Sequence, residues 1–149
     1  MAEKSTASAS RVWVVLAKSY KAMAAFVEQS IAKHSLGLSD FMVLEVLLHR
    51  GPLTISAIGE KVLLANASMT SAIDRLEEKN LVTRRFSAED RRIRLVELTS
   101  KGRRFIEQIY AQHEAEIESL MSCLSPGERT VLHTSLKKIG LAAAAANER

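Results

Sequence analysis

Arginines crowd one stretch of this 149-residue chain. Between Leu81 and Arg104 stand Arg84, Arg85, Arg91, Arg92, Arg94, Lys101, Arg103 and Arg104, against only Glu89, Asp90 and Glu97. The local excess of five positive charges exceeds the +4 of the whole chain, so everything outside this stretch is slightly acidic. Guanidinium groups are planar, permanently charged donors that match phosphate oxygens. A basic patch confined to one segment is the electrostatic footprint of a polyanion partner. The competing reading is a solvated, salt-bridged surface, which would suit a charge run inside one helix better than this one.

The elements that must carry these arginines are legible around them. The segments LVTRRF and IRLVEL read as two short strands on either side of the tip SAEDRR. Ahead of them lie two short helical patterns, TISAIGEKV and ASMTSAIDRLEEKN, separated by a turn. Two short helices and an arginine-tipped hairpin, from Leu53 to Thr99, are the sequence form of a winged helix-turn-helix. Such a unit lays one helix along a major groove and reaches the neighbouring duplex with its wing.

Other chemistries find little support. No G-x-S-x-G, phosphate loop, dinucleotide fingerprint or zinc motif occurs, and glycines number only 6, so an enzyme is not expected. His34, His49, His113 and His133 are scattered without metal-ligand spacing, and neither a metal nor another cofactor is expected. A single cysteine, Cys123, excludes an internal disulfide; it is either a thiol switch or an inert buried residue on an apolar stripe. The apolar run VWVVLA is stopped by Lys18, too short to span a bilayer, and MAEKSTASAS has no signal core, so the expectation is a cytoplasmic chain.

The rest of the chain reads as helix, with residues 1–9 expected to be disordered. Val12, Leu16, Tyr20, Met23, Val27 and Ile31 form one stripe of a long first helix, which Gly37 is expected to end. Ser39 is then placed to cap a second helix stopped by Gly51-Pro52, and Thr54 to cap a third through about Val62. Ala65 or Asn66 opens the fourth, Asn80 takes the left-handed position after it, and strands follow at about Val82–Phe86 and Ile93–Leu98. Thr99 caps a fifth helix to about Leu124, and Ser125-Pro126-Gly127-Glu128 is a capping box that opens a sixth. The fold class is mainly α with a small two- to three-stranded β-wing. Residues 37–99 form the DNA-binding lobe, while 10–36 and 100–149 supply long N- and C-terminal dimerisation helices, all in one intertwined domain. The apolar stripes of those long helices exceed what one small lobe can cover, and the surplus reads as a homodimer interface.

Four segments in order resemble the MarR family of transcriptional regulators across nearly the whole chain. They are GLSDFMVLEVLLHRGPLTISAIGEKV, SMTSAIDRLEEKNLVTRR, EDRRIRLVELTSKGRR and LSPGE. Within the family, FMVLEVLLHRGPLT and IGEKVLLANASMT are similar to the MhqR-type group, which responds to quinones or hydroquinones. The resemblance implies that Asn66, Ser68, Met69, Thr70 and Ser71 face the major groove, with Arg75 one turn on. Met69 either touches a thymine methyl or packs in the core. Many members carry arginine where this chain has Ser71, which points toward indirect or water-mediated readout. At the wing, the resemblance makes Arg92 the residue inserted into the minor groove, held by Asp90 and flanked by Arg91. Arg84, Arg85 and Arg94 are then placed for phosphates.

The family's usual switch is a small aromatic or phenolic molecule bound between the dimerisation helices and the DNA-reading lobe. Trp13, Tyr20, His34, Phe41 and His113 are the corresponding candidates, each equally readable as core or interface. The function expected is a dimeric repressor on double-stranded DNA with an inverted-repeat operator, released by an aromatic or quinone-like effector. Two alternatives use the same chain: an architectural DNA-binding protein of low specificity, and a regulator that senses oxidants through Cys123.

Overall fold

The computed structural model describes residues 6–62 and 68–148. The helix-forming patterns become α1 (Ala9–Ala32), α2 (Leu38–Arg50), α3 (Ile55–Lys61), α4 (Met69–Glu78), α5 (Ser100–Leu120) and α6 (Pro126–Asn147). Between α4 and α5 lie strands β1 (Val82–Phe86) and β2 (Arg94–Leu98). The chain divides into two compact units, one up to His113 and one from Glu114 on.

Helix ends follow local chemistry. The Thr54 hydroxyl accepts from the Ala57 N–H at 3.2 Å and starts α3. At α6, Ser125 and Glu128 satisfy each other's backbone N–H groups in a capping box, with Pro126 at the first helical position. The backbone N–H of Ser125, and then its side chain, hold the Glu128 carboxyl below the ordinary glutamate range.

Several boundaries differ from the sequence expectation. Ser8 caps α1 through the Arg11 N–H, so order begins before residue 10, while residues 1–5 lie outside the description. Gly37 does not end α1; the left-handed residue after it is Ser35, with φ 55°, and Gly37 is instead the extended N-cap of α2. Ser39 therefore sits inside α2 rather than capping it. Gly51, with φ 76°, does end α2. The fifth helix stops at Leu120, and Met121–Cys123 tighten into a 3₁₀ turn before Leu124 becomes extended. The opening of the fourth helix at Ala65 or Asn66 lies outside the described residues.

One hydrophobic core holds the first unit together. Phe41, Val43, Leu44 and Leu47 of α2 meet Ile58 of α3, Ala72, Ile73 and Leu76 of α4, Val82 and Val96 of the hairpin, and Ile106 and Ile109 of α5. Of the α1 stripe, only Ile31 is fully buried, while Leu16, Met23 and Val27 are half-buried. Val12, Trp13, Val15 and Tyr20 remain exposed. Taken by itself, the second unit is similar: α6 buries none of its residues, and Val131, Leu132, Leu136, Ile139 and Leu141 are exposed.

The strands pair antiparallel, with Val82 opposite Leu98 and Phe86 opposite Arg94. A third strand shrinks to one bridge, where Leu53 and Val96 exchange backbone bonds of 3.1 and 2.8 Å.

The fourth helix, the hairpin and α5 meet at one joint. Asn80, with φ 57°, turns the chain after α4. The Thr99 N–H donates to the Leu81 carbonyl at 3.1 Å, and its hydroxyl donates to the Asn80 carbonyl at 2.6 Å while accepting the Gly102 N–H at 2.9 Å. Lys101 Nζ closes the joint on the Lys79 carbonyl at 3.0 Å. A Cβ on Gly102 would lie 1.8 Å from the Leu81 carbonyl oxygen, so the two backbones touch with no room for a side chain. Gly102→Ala is expected to lower stability by about 3 kcal/mol, through overpacking against backbone that cannot move aside. Urea denaturation of the purified variant reads this, and an unchanged midpoint would show the joint to be pliable.

Candidate nucleic-acid interface

The fourth helix offers two faces. Ala72, Ile73 and Leu76 point into the core, while Ser68, Thr70, Ser71, Asp74 and Arg75 are exposed. Ser68 stands at the N-cap but makes no side-chain capping bond. Met69 is half-buried and packs against the core, with its Cγ 3.5 Å from where a Cβ on Gly59 would sit. Asn66 lies outside the described residues.

Two ion-pair clamps fix this helix. From α2, buried Asp40 accepts Arg75 Nη2 at 2.7 Å and Nε at 3.3 Å, a two-pronged pair that raises the guanidinium's hold on its proton. From β1, Arg84 donates to Asp74 at 2.6 Å and also to Glu77. The hydrogen bond to Asp74 leads the effects that raise Arg84's affinity for its proton; burial opposes it, and the charge of Glu77 adds to it. The Arg84 side chain is only 16% exposed, so it meets carboxylates where the sequence reading gave it phosphates. Arg85 is likewise engaged, donating to Glu97 across the hairpin at 2.8 Å. Charge counting treats every arginine as equivalent, and these pairings depend on which carboxylates folding brings near.

The wing tip is different. Ser87 donates to the Ile93 carbonyl at 2.8 Å and Ile93 to the Asp90 carbonyl at 3.0 Å, which closes a short turn. Asp90 accepts the Arg92 backbone N–H at 2.9 Å and its Nε at 3.2 Å. The backbone bond first, and the side-chain bond second, hold the Asp90 carboxyl below its ordinary value. Arg92 is nevertheless 92% exposed, and Arg91 beside it is exposed as well. The tip thus presents guanidinium charge to solvent on a braced turn. Arg94 lies over the Phe86 ring, 5.4 Å from its centroid.

The candidate ligand residues are only partly brought together. Phe41 and His113 meet edge to face with centroids 5.1 Å apart, and His49 meets Tyr110 at 4.7 Å. Among the described residues no ring contact joins Trp13, Tyr20 or His34 to this group; Trp13 and Tyr20 are exposed and His34 is half-buried. His113 Nδ1 is buried without a hydrogen-bond partner among the described residues. Burial pushes the Glu45 carboxyl above its ordinary range, opposed by His113 and then His49. An open groove of about 440 Å³ runs past Met42, Glu45, Val46 and His49 to Lys61 and Val62. Sequence reading passed over Glu45, and its place one helical turn before His49 on α2 was its only trace. Cys123 is exposed rather than buried, with its thiol 3.5 Å from the Leu120 carbonyl. Among the described residues no group of acids, histidines and cysteine is arranged to hold a metal ion.

Two measurements probe these assignments. Arg84→Ala is expected to lower stability without DNA by about 1–2 kcal/mol, because it strips the partner from Asp74 and Glu77; an unchanged melting curve would return Arg84 to a purely phosphate-facing role. Because folding raises the Glu45 pKa, ionisation of this group destabilises the fold as pH rises through the carboxylate range. Glu45→Gln should therefore melt higher than wild type at about pH 7, and the difference should shrink as pH falls below about 4.5. A melting difference that stayed constant with pH would contradict this account.

Residues 36–93 match the MarR family. The HTH-type transcriptional regulator MhqR of Bacillus subtilis (strain 168) is 37% identical over 141 residues, covering 95% of this chain and 94% of that protein. The HTH-type transcriptional repressor MdtR of the same organism is 31% identical over 100 residues, covering 67% and 64%. Among solved structures, BpsR of Bordetella bronchiseptica, described for regulation of its DNA binding by 6-hydroxynicotinic acid, superposes with a TM-score of 0.74 at 27% identity over 87% of this chain and 98% of its own. AbsC of Streptomyces coelicolor, a MarR family transcriptional regulator, has the same fold, with a TM-score of 0.79 at 20% identity over 94% and 98%. With a helix-turn-helix lobe, an arginine-tipped wing and a 37% identical relative along 95% of its length, the chain belongs to the MarR family of DNA-binding transcriptional regulators.

Proposed function

We propose that the chain acts as a homodimer that binds an inverted-repeat operator and represses transcription until a small aromatic or quinone-like molecule releases it. The observation that carries the reading is Arg92, held by Asp90 at the wing tip yet almost wholly exposed. An arginine so presented gains from the enhanced negative potential of a narrow minor groove. Ser68, Thr70 and Ser71 on α4 supply short hydroxyl donors for the adjacent major groove, with Met69 behind them as packing. Arg91 and Arg94 add charge beside them, while Arg75, Arg84 and Arg85 chiefly brace the reading surface.

Dimerisation would cover the apolar residues that α1 and α6 leave in water, and a two-fold pair sets recognition helices about 34 Å apart, one turn of the duplex. The helices 10–36 and 100–149 supply that interface in this reading, and 37–99 the DNA-binding lobe. A ligand site around Phe41 and His113, with Trp13, Tyr20 and His34 contributed from the dimerisation helices, would let an effector favour one spacing of the recognition helices over another. Regulation of BpsR by 6-hydroxynicotinic acid supports an aromatic effector. A regulator of this kind works in the cytoplasm, where the DNA is.

The test is a fluorescence-anisotropy titration at physiological salt on the DNA directly upstream of the protein's own gene. A scrambled duplex serves as competitor, and a panel of phenols and quinones follows. Tight binding that survives the competitor and is released by one compound is the expected result. Equal, steeply salt-dependent binding to both duplexes would replace this reading with the architectural one. Release by oxidant that disappears in Cys123→Ser would replace the aromatic effector with a thiol switch, which the exposure of that residue permits. Arg92→Ala is expected to weaken binding by about 1–3 kcal/mol.

A further inference from the structure

Phe86 is the more exposed of two large apolar wing residues, with Ile93, that the DNA-binding reading leaves unused. It is 58% exposed at the end of β1, where a polar residue would cost nothing. Side chains alternate along a strand, so Val82, Arg84 and Phe86 share one face. That face is identified by its occupants: Val82 is buried in the core, and Arg84 reaches Asp74 and Glu77 on α4. Phe86 therefore lies on the side of the wing that looks toward the recognition helix. Its cross-strand partner is Arg94, whose guanidinium lies over the ring at 5.4 Å.

The strand doubles back along α4, since Arg84 meets both Asp74 and Glu77. From Arg84 to Phe86 the strand advances about 6.6 Å farther toward the wing tip, on the face that Arg84 turns to α4. A duplex read by the N-terminal end of α4 and by the wing tip together must pass its sugar–phosphate backbone between them.

We propose that Phe86 is a positioning residue for DNA binding, its ring holding the Arg94 guanidinium against the phosphodiester backbone that runs between recognition helix and wing. This rests on the reading of α4 and the wing as the DNA-binding surface. A stacked guanidinium keeps its plane and its outward donors while losing little freedom on contact. The contact so positioned is to backbone, so it adds affinity without sequence preference.

The experiment titrates the full chain with a mixed-sequence duplex and with its upstream DNA at several salt concentrations, for wild type, Phe86→Ala, Phe86→Tyr, Arg94→Ala and the double alanine variant. Arg94→Ala is expected to weaken both duplexes by about fivefold to tenfold and to reduce the salt slope by about one counterion. Phe86→Ala should weaken both by a comparable factor, Phe86→Tyr should restore wild-type affinity, and the double variant should bind no worse than Arg94→Ala. Independent, multiplying losses, or unchanged binding in Phe86→Ala, would overturn the proposal. So would a loss confined to the upstream DNA. A Phe86→Ala loss that persists in full without Arg94 and comes with a lowered melting temperature would mark a structural role instead. Failure of wild type to bind any duplex would remove the DNA-binding surface itself, and the proposal with it; normal wild-type binding with an inert Phe86 would remove the proposal alone.

Discussion

The close approach of Leu81 and Gly102 is the contact from which α4, the wing and α5 are hung. The Leu81 carbonyl accepts from Thr99, the Asn80 carbonyl from the Thr99 hydroxyl, and the Lys79 carbonyl from Lys101. The carbonyls of the turn after α4 are thereby satisfied by the start of α5, while the N–H groups of Lys79, Asn80 and Leu81 close on the last carbonyls of α4 itself. The same few residues open the hairpin, because β1 begins at Val82 and β2 ends at Leu98. Helix, wing and the following helix therefore share one origin, and an error there would displace all three.

Around that origin the arginines divide by task. Arg75 and Arg84 bind acids of α2 and α4, and both clamps draw on partly shielded charge, where an ion pair holds geometry better than it does in open water. Arg85 ties the two strands together. Arg91, Arg92 and Arg94 are left facing solvent at the far end of the hairpin. The positive footprint seen in the composition is accordingly narrower in space than in sequence. Inner cations fix where the outer ones point.

How much of this was legible depended on how local the cause is. Thr54, Thr99 and Ser125 act within three residues of themselves, and each caps its helix as its type and position indicate. Asn80 takes positive φ for an equally local reason. Gly37 misled because glycine serves either end of a helix, and the distinction rests on its own extended φ of −74° and on Ser35 having already turned the chain. The partners of Arg75 and Arg84 could not be read, since Asp40 lies 35 positions from Arg75 and only packing of α2 on α4 brings them together. Cys123 left two readings open because an apolar stripe tells which face could be buried, not whether anything covers it; the structure leaves it exposed.

The uncovered apolar stripes give the protein a dependence on its own abundance. Trp13 and Val15 on α1, and Val131 and Leu141 on α6, meet water in the single chain at an energetic penalty. Covered by a second copy, they would tie the folded state to the law of mass action, so that dilution and unfolding become two routes down one slope. A cell making little of such a protein would hold less of it in a competent form than the number of molecules suggests. Gene dosage would then act as a threshold.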